Sequence, residues 1–229
     1  MRVVIPYTDR DPKSRLAPML SEAERRAFAR AMLCDVVETV RRAGHDPELL
    51  VPEPIDGANT DTAIDDVSTT VDDRALTPAV DAAFDRIGED VPELGIVMAD
   101  LPLAAPTALR RLAAIGGDVA IAPGRGGGTN ALVVRDPAFP ADYHGASYRD
   151  HREAAVTAGL SVGVVDSMRL ATDIDDPADL AEVLLHGEGR SHEWLVDAGA
   201  VLDTADVLLG VRLGSRGQVV RRIAFRLPV

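Results

Sequence analysis

The chain has 229 residues, with 37 Asp and Glu against 24 Lys and Arg, a formal charge of −13, and 46% hydrophobic residues. That length suits one compact α/β domain with a single site. The acidity argues against a nucleic-acid partner, whose phosphates are bound by basic faces, and no apolar run is long enough to span a bilayer, so no membrane partner is expected. Met1–Leu16 puts a short apolar strand directly before charged residues, which is not the charged, apolar, small-residue order of a secretory signal, so a cytoplasmic protein is expected. Cys34 stands alone, which excludes an intramolecular disulfide and makes it a candidate buried helix residue. Of the 24 cationic residues only Lys13 is a lysine. Together with the Asp-rich composition this reads as adaptation to high salt. It also predicts that Lys13 does something a guanidinium cannot.

Strand-like and helix-like segments alternate, the pattern of a mostly parallel, mixed sheet flanked by helices. A strand is predicted at Arg2–Tyr7. Ser21 with Glu24 forms a capping-box pattern before a helix whose apolar positions (Phe28, Met32, Val36, Val40) run to about Ala43, where Gly44 ends it. Next come a strand near Glu48–Val51, an acidic turn-rich stretch over Pro52–Asp66, a strand at Val67–Val71 and a helix at Leu76–Ile87. Leu94–Met98 is a continuous apolar run suited to a central strand buried on both faces. A helix near Pro106–Ile115, a strand at Val119–Ala122, a Gly-rich turn at Gly124–Thr129 and a strand at Ala131–Val134 follow. His144–Ala158 reads as a helix, Ser161–Val165 as a strand, and Asp173–Leu180 opens a helix ending near His186. This single domain covers residues 1–186. Residues 187–229 form a C-terminal extension with a helix at Glu193–Ala198 and a hairpin-like pair, Val207–Leu213 and Val219–Leu227. Its apolar alternation is expected to pair with a second subunit, in a homodimer, rather than with the main sheet.

In open parallel sheets ligands bind at the carboxyl ends of the strands, and four places there carry suitable chemistry. Pro12-Lys13-Ser14-Arg15-Leu16 follows the first strand, and Lys13 and Arg15 can surround a triphosphate as point charge and planar fork. Asp100 ends the central strand, where a carboxylate suits Mg²⁺ and substrate phosphates. In Gly124–Asn130 the glycines let backbone amides approach an anion while Thr129 and Asn130 add donors, although the run is neither a Walker A loop nor a Rossmann fingerprint. Asp173 and Asp175 alternate along an extended segment and are expected to face Asp100 as metal ligands. Asp176 is a natural N-cap with Pro177 at the first helical position.

Strand-loop-PKSRL, a central strand ending in ADLP, and DIDDPADL occur in the order shown by GT-A-like nucleotidyltransferases, which the chain resembles. Many of these have a glycine-rich first loop, whereas Thr8-Asp9-Arg10-Asp11-Pro12-Lys13 contains no glycine. PKSRL, ADLP, GGTNAL (Gly127–Leu132) and an S-Y-x-x-H element (Ser147–His151) are similar to the archaeal 2-phospho-L-lactate guanylyltransferase family of coenzyme F420 biosynthesis, over roughly residues 1–186. The resemblance implies in-line attack by a phosphate oxygen of 2-phospho-L-lactate on GTP. It places GTP at Pro12, Lys13, Arg15 and Asp100, with Lys13, Arg15 and Asp100 catalytic. The acceptor falls at Thr129, Asn130, Gly145, Ser147 and His151, and Mg²⁺ at Asp100, Asp173 and Asp175. His151 would share a helix face with Ser147, as a packing or phosphate-contacting residue rather than a base. Rival readings are guanylyl transfer to phosphoenolpyruvate or 3-phosphoglycerate, a molybdenum-cofactor guanylyl- or cytidylyltransferase, and a non-catalytic nucleotide-binding module.

Overall fold

The computed structural model describes residues 1–55, 63–203, 209–213 and 221–225. Ten strands and seven helices are described: β1 (Arg2–Pro6), α1 (Glu22–Arg42), β2 (Asp46–Val51), β3 (Ser68–Val71), α2 (Leu76–Phe84), β4 (Leu94–Val97), α3 (Pro106–Ala113), β5 (Val119–Pro123), β6 (Thr129–Val134), α4 (Ser147–Thr157), β7 (Val162–Val164), α5 (Met168–Ala171), α6 (Leu180–His186), α7 (Arg190–Asp197), β8 (Ala200–Asp203), β9 (Leu209–Leu213) and β10 (Arg221–Phe225). The first seven strands form one mixed sheet in the order β3-β2-β1-β4-β6-β5-β7, in which β6 alone runs antiparallel to its neighbours. A core lies on each face. Val3 and Ile5 look toward α1 and α3, while Val4, Ile96 and Leu132 look toward α2 and α4. β4 and β6 are buried along their whole lengths, as two-sided coverage requires of unbroken apolar strands.

α1 starts as its sequence dictates. Ser21 Oγ accepts from the Glu24 amide, and the Glu24 carboxylate accepts from the Ser21 amide at 2.7 Å. Some predicted boundaries shift, and one helix is added. β6 begins at Thr129 rather than Ala131, because Met98 donates its amide to the Asn130 carbonyl and draws the Gly-turn residues into the ladder. α4 begins at Ser147 rather than His144. The short helix α5, absent from the sequence reading, carries the chain back from β7 toward Asp173.

The hairpin-like pair of the C-terminal extension forms as β9 and β10, which are antiparallel to each other, and β8 adds to β9 to give a three-stranded sheet separate from the main one. β8 was not legible because its ladder partners lie on a later segment. The hairpin turn (214–217) and much of the acidic stretch (56–62) lie outside the described residues. The extension is tied to the body by α7, whose Trp194 ring packs on Phe28 of α1 with centroids 5.3 Å apart, and by buried Leu195, Ala200 and Val211.

Strand direction sets the site. β1 and β4 are parallel, so the loop after Pro6 and Asp100 after β4 emerge at one sheet edge. Antiparallel β6 brings its first residues, Thr129 and Asn130, to the same edge. The Ile174 amide bonds the Asp100 carbonyl at 3.1 Å and lays Asp173–Asp175 alongside.

Candidate active site

The loop after β1 gathers the first cluster. Lys13 adopts a left-handed backbone conformation (φ 53°), as does Asp11 (φ 40°), which is uncommon for residues with a side chain. Arg25 of α1, itself buried, holds this shape by donating to the Pro12 carbonyl (3.1 Å) and to the Asp11 carboxylate. Arg30, also from α1, pairs with Asp9, to which the Tyr7 hydroxyl donates. These arginines make a glycine-free loop rigid, a role that helical periodicity alone did not reveal.

Lys13 then points its ammonium between two carboxylates, 2.5 Å from Asp100 Oδ2 and 2.7 Å from Asp175 Oδ1. Arg15 pairs with the other oxygen of Asp175 and, at 3.4 Å, with Asp176. Burial disfavours the charge on Lys13, but the fields of Asp100 and Asp175 outweigh it, so the ammonium is held above its ordinary value. Asp100 is also raised. Burial is the largest cause, Lys13 opposes it, and the like charges of Asp175 and Asp173 add to it. Asp100 Oδ1 is buried and has no hydrogen-bond partner. Pro12, Lys13, Arg15, Asp100 and Asp175 all line a cavity of about 340 Å³. It shares Tyr7, Thr8 and Arg10 with a second cavity of about 1290 Å³, between the β1 and β2 loops, α1 and α7. The α7 contribution (Arg190, Glu193, Trp194, Asp197) had no signal in the sequence reading.

The expected metal ligands converge only in part. Among the described residues no group of three acidic, histidine or cysteine side chains stands at metal-holding distances. Asp175 is drawn to Lys13 and Arg15, while Asp173 accepts from Asn130 Nδ2 at 3.1 Å. Asn130, an expected acceptor-binding residue, donates to the Leu170 carbonyl and to Asp173, and its amide lies so close to Gly124 that a Cβ there would fall 2.5 Å from Asn130 Oδ1.

Thr129, Ser147 and His151 form a buried layer beneath the Gly-rich turn. The Thr129 amide donates to Ser147 Oγ (2.8 Å), and Thr129 Oγ1 lies 2.8 Å from His151 Nδ1. The two α4 residues do share a face, as four-residue spacing predicts. His151 is fully buried, and its ring packs against Phe139 and Tyr143, the helix-packing alternative of the two expected for it. Gly145, with φ +54°, has open space where a side chain would be, and the α4 N-terminus beside it has no side-chain cap.

The fold of the seven-stranded mixed sheet has counterparts among solved structures. A solved structure from Desulfovibrio desulfuricans superposes with a TM-score of 0.67 at 16% identity, covering 86% of this chain and 94% of that one. A nucleotidyl transferase from Methanothermobacter gives a TM-score of 0.57 at 16% identity, covering 81% and 96%, so the fold is of the nucleotidyltransferase type. A protein of Halomicrobium mukohataei named 2-phospho-L-lactate guanylyltransferase is 54% identical over 206 residues, 90% of this chain and 96% of that protein. Residues 1–205, spanning both cavities and the buried layer, match the family described as guanylyl transferase CofC like, and the chain belongs to that family.

Proposed function

We propose that the protein transfers the guanylyl group of GTP to 2-phospho-L-lactate, giving lactyl-2-diphospho-5′-guanosine and pyrophosphate, a cytoplasmic step of coenzyme F420 biosynthesis. The observation that carries this is the single lysine held between Asp100 and Asp175 at the sheet edge, in a chain 54% identical to a protein named for this activity. Charge matching favours a triphosphate there. Its oxygens would draw Lys13 and Arg15 from their carboxylates, each as a charge-assisted donor. The larger adjoining cavity has room for the nucleoside.

Asp100 with Asp175 or Asp173 would hold Mg²⁺ as hard oxygen donors, a role that the unpartnered, buried Oδ1 of Asp100 fits. Bound Mg²⁺ supplies charge neutralisation of the triphosphate. The residues themselves orient the reactants. Lys13 and Arg15 fix the leaving pyrophosphate, and Thr129 with the backbone around Gly145 and Ser147 holds the acceptor phosphate, whose oxygen attacks in line at the α-phosphorus. No general base is required, since a phosphate dianion is already a nucleophile, and neutral His151 is not placed to be one.

The test is pyrophosphate release in high salt with Mg²⁺, using GTP, ATP, CTP or UTP with 2-phospho-L-lactate, phosphoenolpyruvate or 3-phosphoglycerate. Release that needs GTP and phospholactate together supports the proposal. Release with another acceptor moves the assignment to that three-carbon phosphate, and none with any pair removes it.

A further inference from the structure

The S-Y-x-x-H element ends in a histidine that the proposed reaction does not use, yet it is fully buried and bonded at both ring nitrogens. The Asp142 amide points at Nε2 from 2.8 Å. A backbone amide can only donate, so Nε2 must be the bare nitrogen. In a neutral ring the proton then sits on Nδ1, which faces Thr129 Oγ1 at 2.8 Å. Burial keeps the ring neutral, holding it at about 4. Phe139 and Tyr143 pack against it with centroids 5.6 and 4.9 Å away. A flipped ring would put carbon atoms at both partner positions and leave the Asp142 amide and the Thr129 oxygen unmatched.

The consequence falls on the Thr129 hydroxyl. Its oxygen already accepts from His151, so its own proton is directed to another acceptor. The same logic holds at Ser147, whose Oγ accepts from the Thr129 amide. Above this layer the turn through Gly126 and Gly127 has open space where side chains would be. We propose that His151 is a positioning residue that fixes the Thr129 hydroxyl as a hydrogen-bond donor toward the acceptor phosphate. This rests on the acceptor site proposed above. Histidine is required because one planar ring both accepts from Asp142 and donates to Thr129, on opposite sides.

Two amide replacements separate the ring's faces. His151→Asn keeps a donor near Nδ1 and loses the acceptor for Asp142. His151→Gln reaches Asp142 and abandons Thr129. His151→Gln should raise the KM for 2-phospho-L-lactate about tenfold, a lost donor's worth, with the KM for GTP unchanged, and His151→Asn should stay within about threefold of the parent. Thr129→Val should itself raise the phospholactate KM, and adding His151→Gln to it should change nothing more. Equal effects of the two amides, or an undiminished His151→Gln effect in the Thr129→Val background, overturn the inference. An impaired Thr129→Val with a normal His151→Gln overturns it alone, leaving the acceptor site standing. A normal Thr129→Val overturns both. Nitrogen-15 NMR of the unmodified protein reads the same point without any variant: a protonated Nδ1 and bare Nε2 are expected, and the reverse tautomer refutes the assignment.

Discussion

At the residue scale, the geometry explains why one lysine persists among arginines. Lys13 fits an ammonium between Asp100 and Asp175 at 2.5 and 2.7 Å, a three-body contact that suits a compact point charge better than a planar fork. Lys13→Ala is therefore expected to lower kcat by about 10²- to 10³-fold, as for loss of a donor to developing charge, and Lys13→Arg should restore little. Steady-state kinetics on protein checked for folding by circular dichroism measures this, and near-normal turnover of the alanine variant would exclude Lys13 from the chemistry. His151 gives a second prediction, in stability. Its ring is held at about 4 against an ordinary 6.5. A folded-state value depressed below the unfolded one means that the contribution is complete above about pH 6.5 and is lost as pH falls toward about 4. The difference amounts to about 3 kcal/mol. Urea midpoints at neutral pH and near pH 4.5 should fall more for the parent than for His151→Asn, and parallel slopes would refute it. The sequence pointed to Lys13 by rarity but could not show the tautomer, because the Asp142 amide and Thr129 reach the ring from different elements.

At the element scale, α7 is held by a cap it does not contain. Asp35 of α1 accepts from the Arg190 amide (2.7 Å), the Ser191 amide (3.0 Å) and the Ser191 hydroxyl (2.5 Å), supplying the acceptors that the α7 N-terminus lacks. Burial pushes the Asp35 carboxyl up, the opposing effect coming from those same bonds. Gly189 is dictated by this contact, since a Cβ there would lie 2.3 Å from Asp35 Oδ1. Asp35→Ala leaves orphaned amides and should cost about 2 kcal/mol, read as a lowered denaturant midpoint. α7 also walls the larger cavity, so the same variant should weaken GTP binding more than phospholactate binding. An unchanged midpoint would mean that the cap contributes nothing. The capping box of α1 was legible because Ser21 and Glu24 are three residues apart in sequence; the cap of α7 was not, because 155 positions separate Asp35 from Arg190.

At the scale of the whole molecule, acidic groups are paired both at the site, by Arg25, Arg30 and Lys13, and elsewhere, as in Arg41–Asp66 and Arg149–Glu153, yet the chain keeps a formal charge of −13. Self-repulsion of that size favours the unfolded chain and is screened within about 10 Å at 0.1 M salt and about 3 Å at 1 M. The melting temperature should therefore rise steadily with potassium chloride over that range. A flat or falling curve would contradict the reading of the composition as high-salt adaptation.

The sequence by itself determined what short-range chemistry determines: the strands by their apolar runs, the long helix by its period and cap, and Lys13, Arg15, Asp100, Asp173 and Asp175 as candidates by their place after apolar runs. Of these, Lys13, Arg15, Asp100 and Asp175 line one cavity and Asp173 does not. Only the tertiary structure decided how they meet. Whether Asp173 or Asp175 reaches Lys13, that Asn130 restrains Asp173, that His151 turns inward behind Thr129, and that β8 completes the C-terminal sheet all depend on distances between segments far apart in the chain. Periodicity records which face of an element is buried; it carries no information about which other element covers that face.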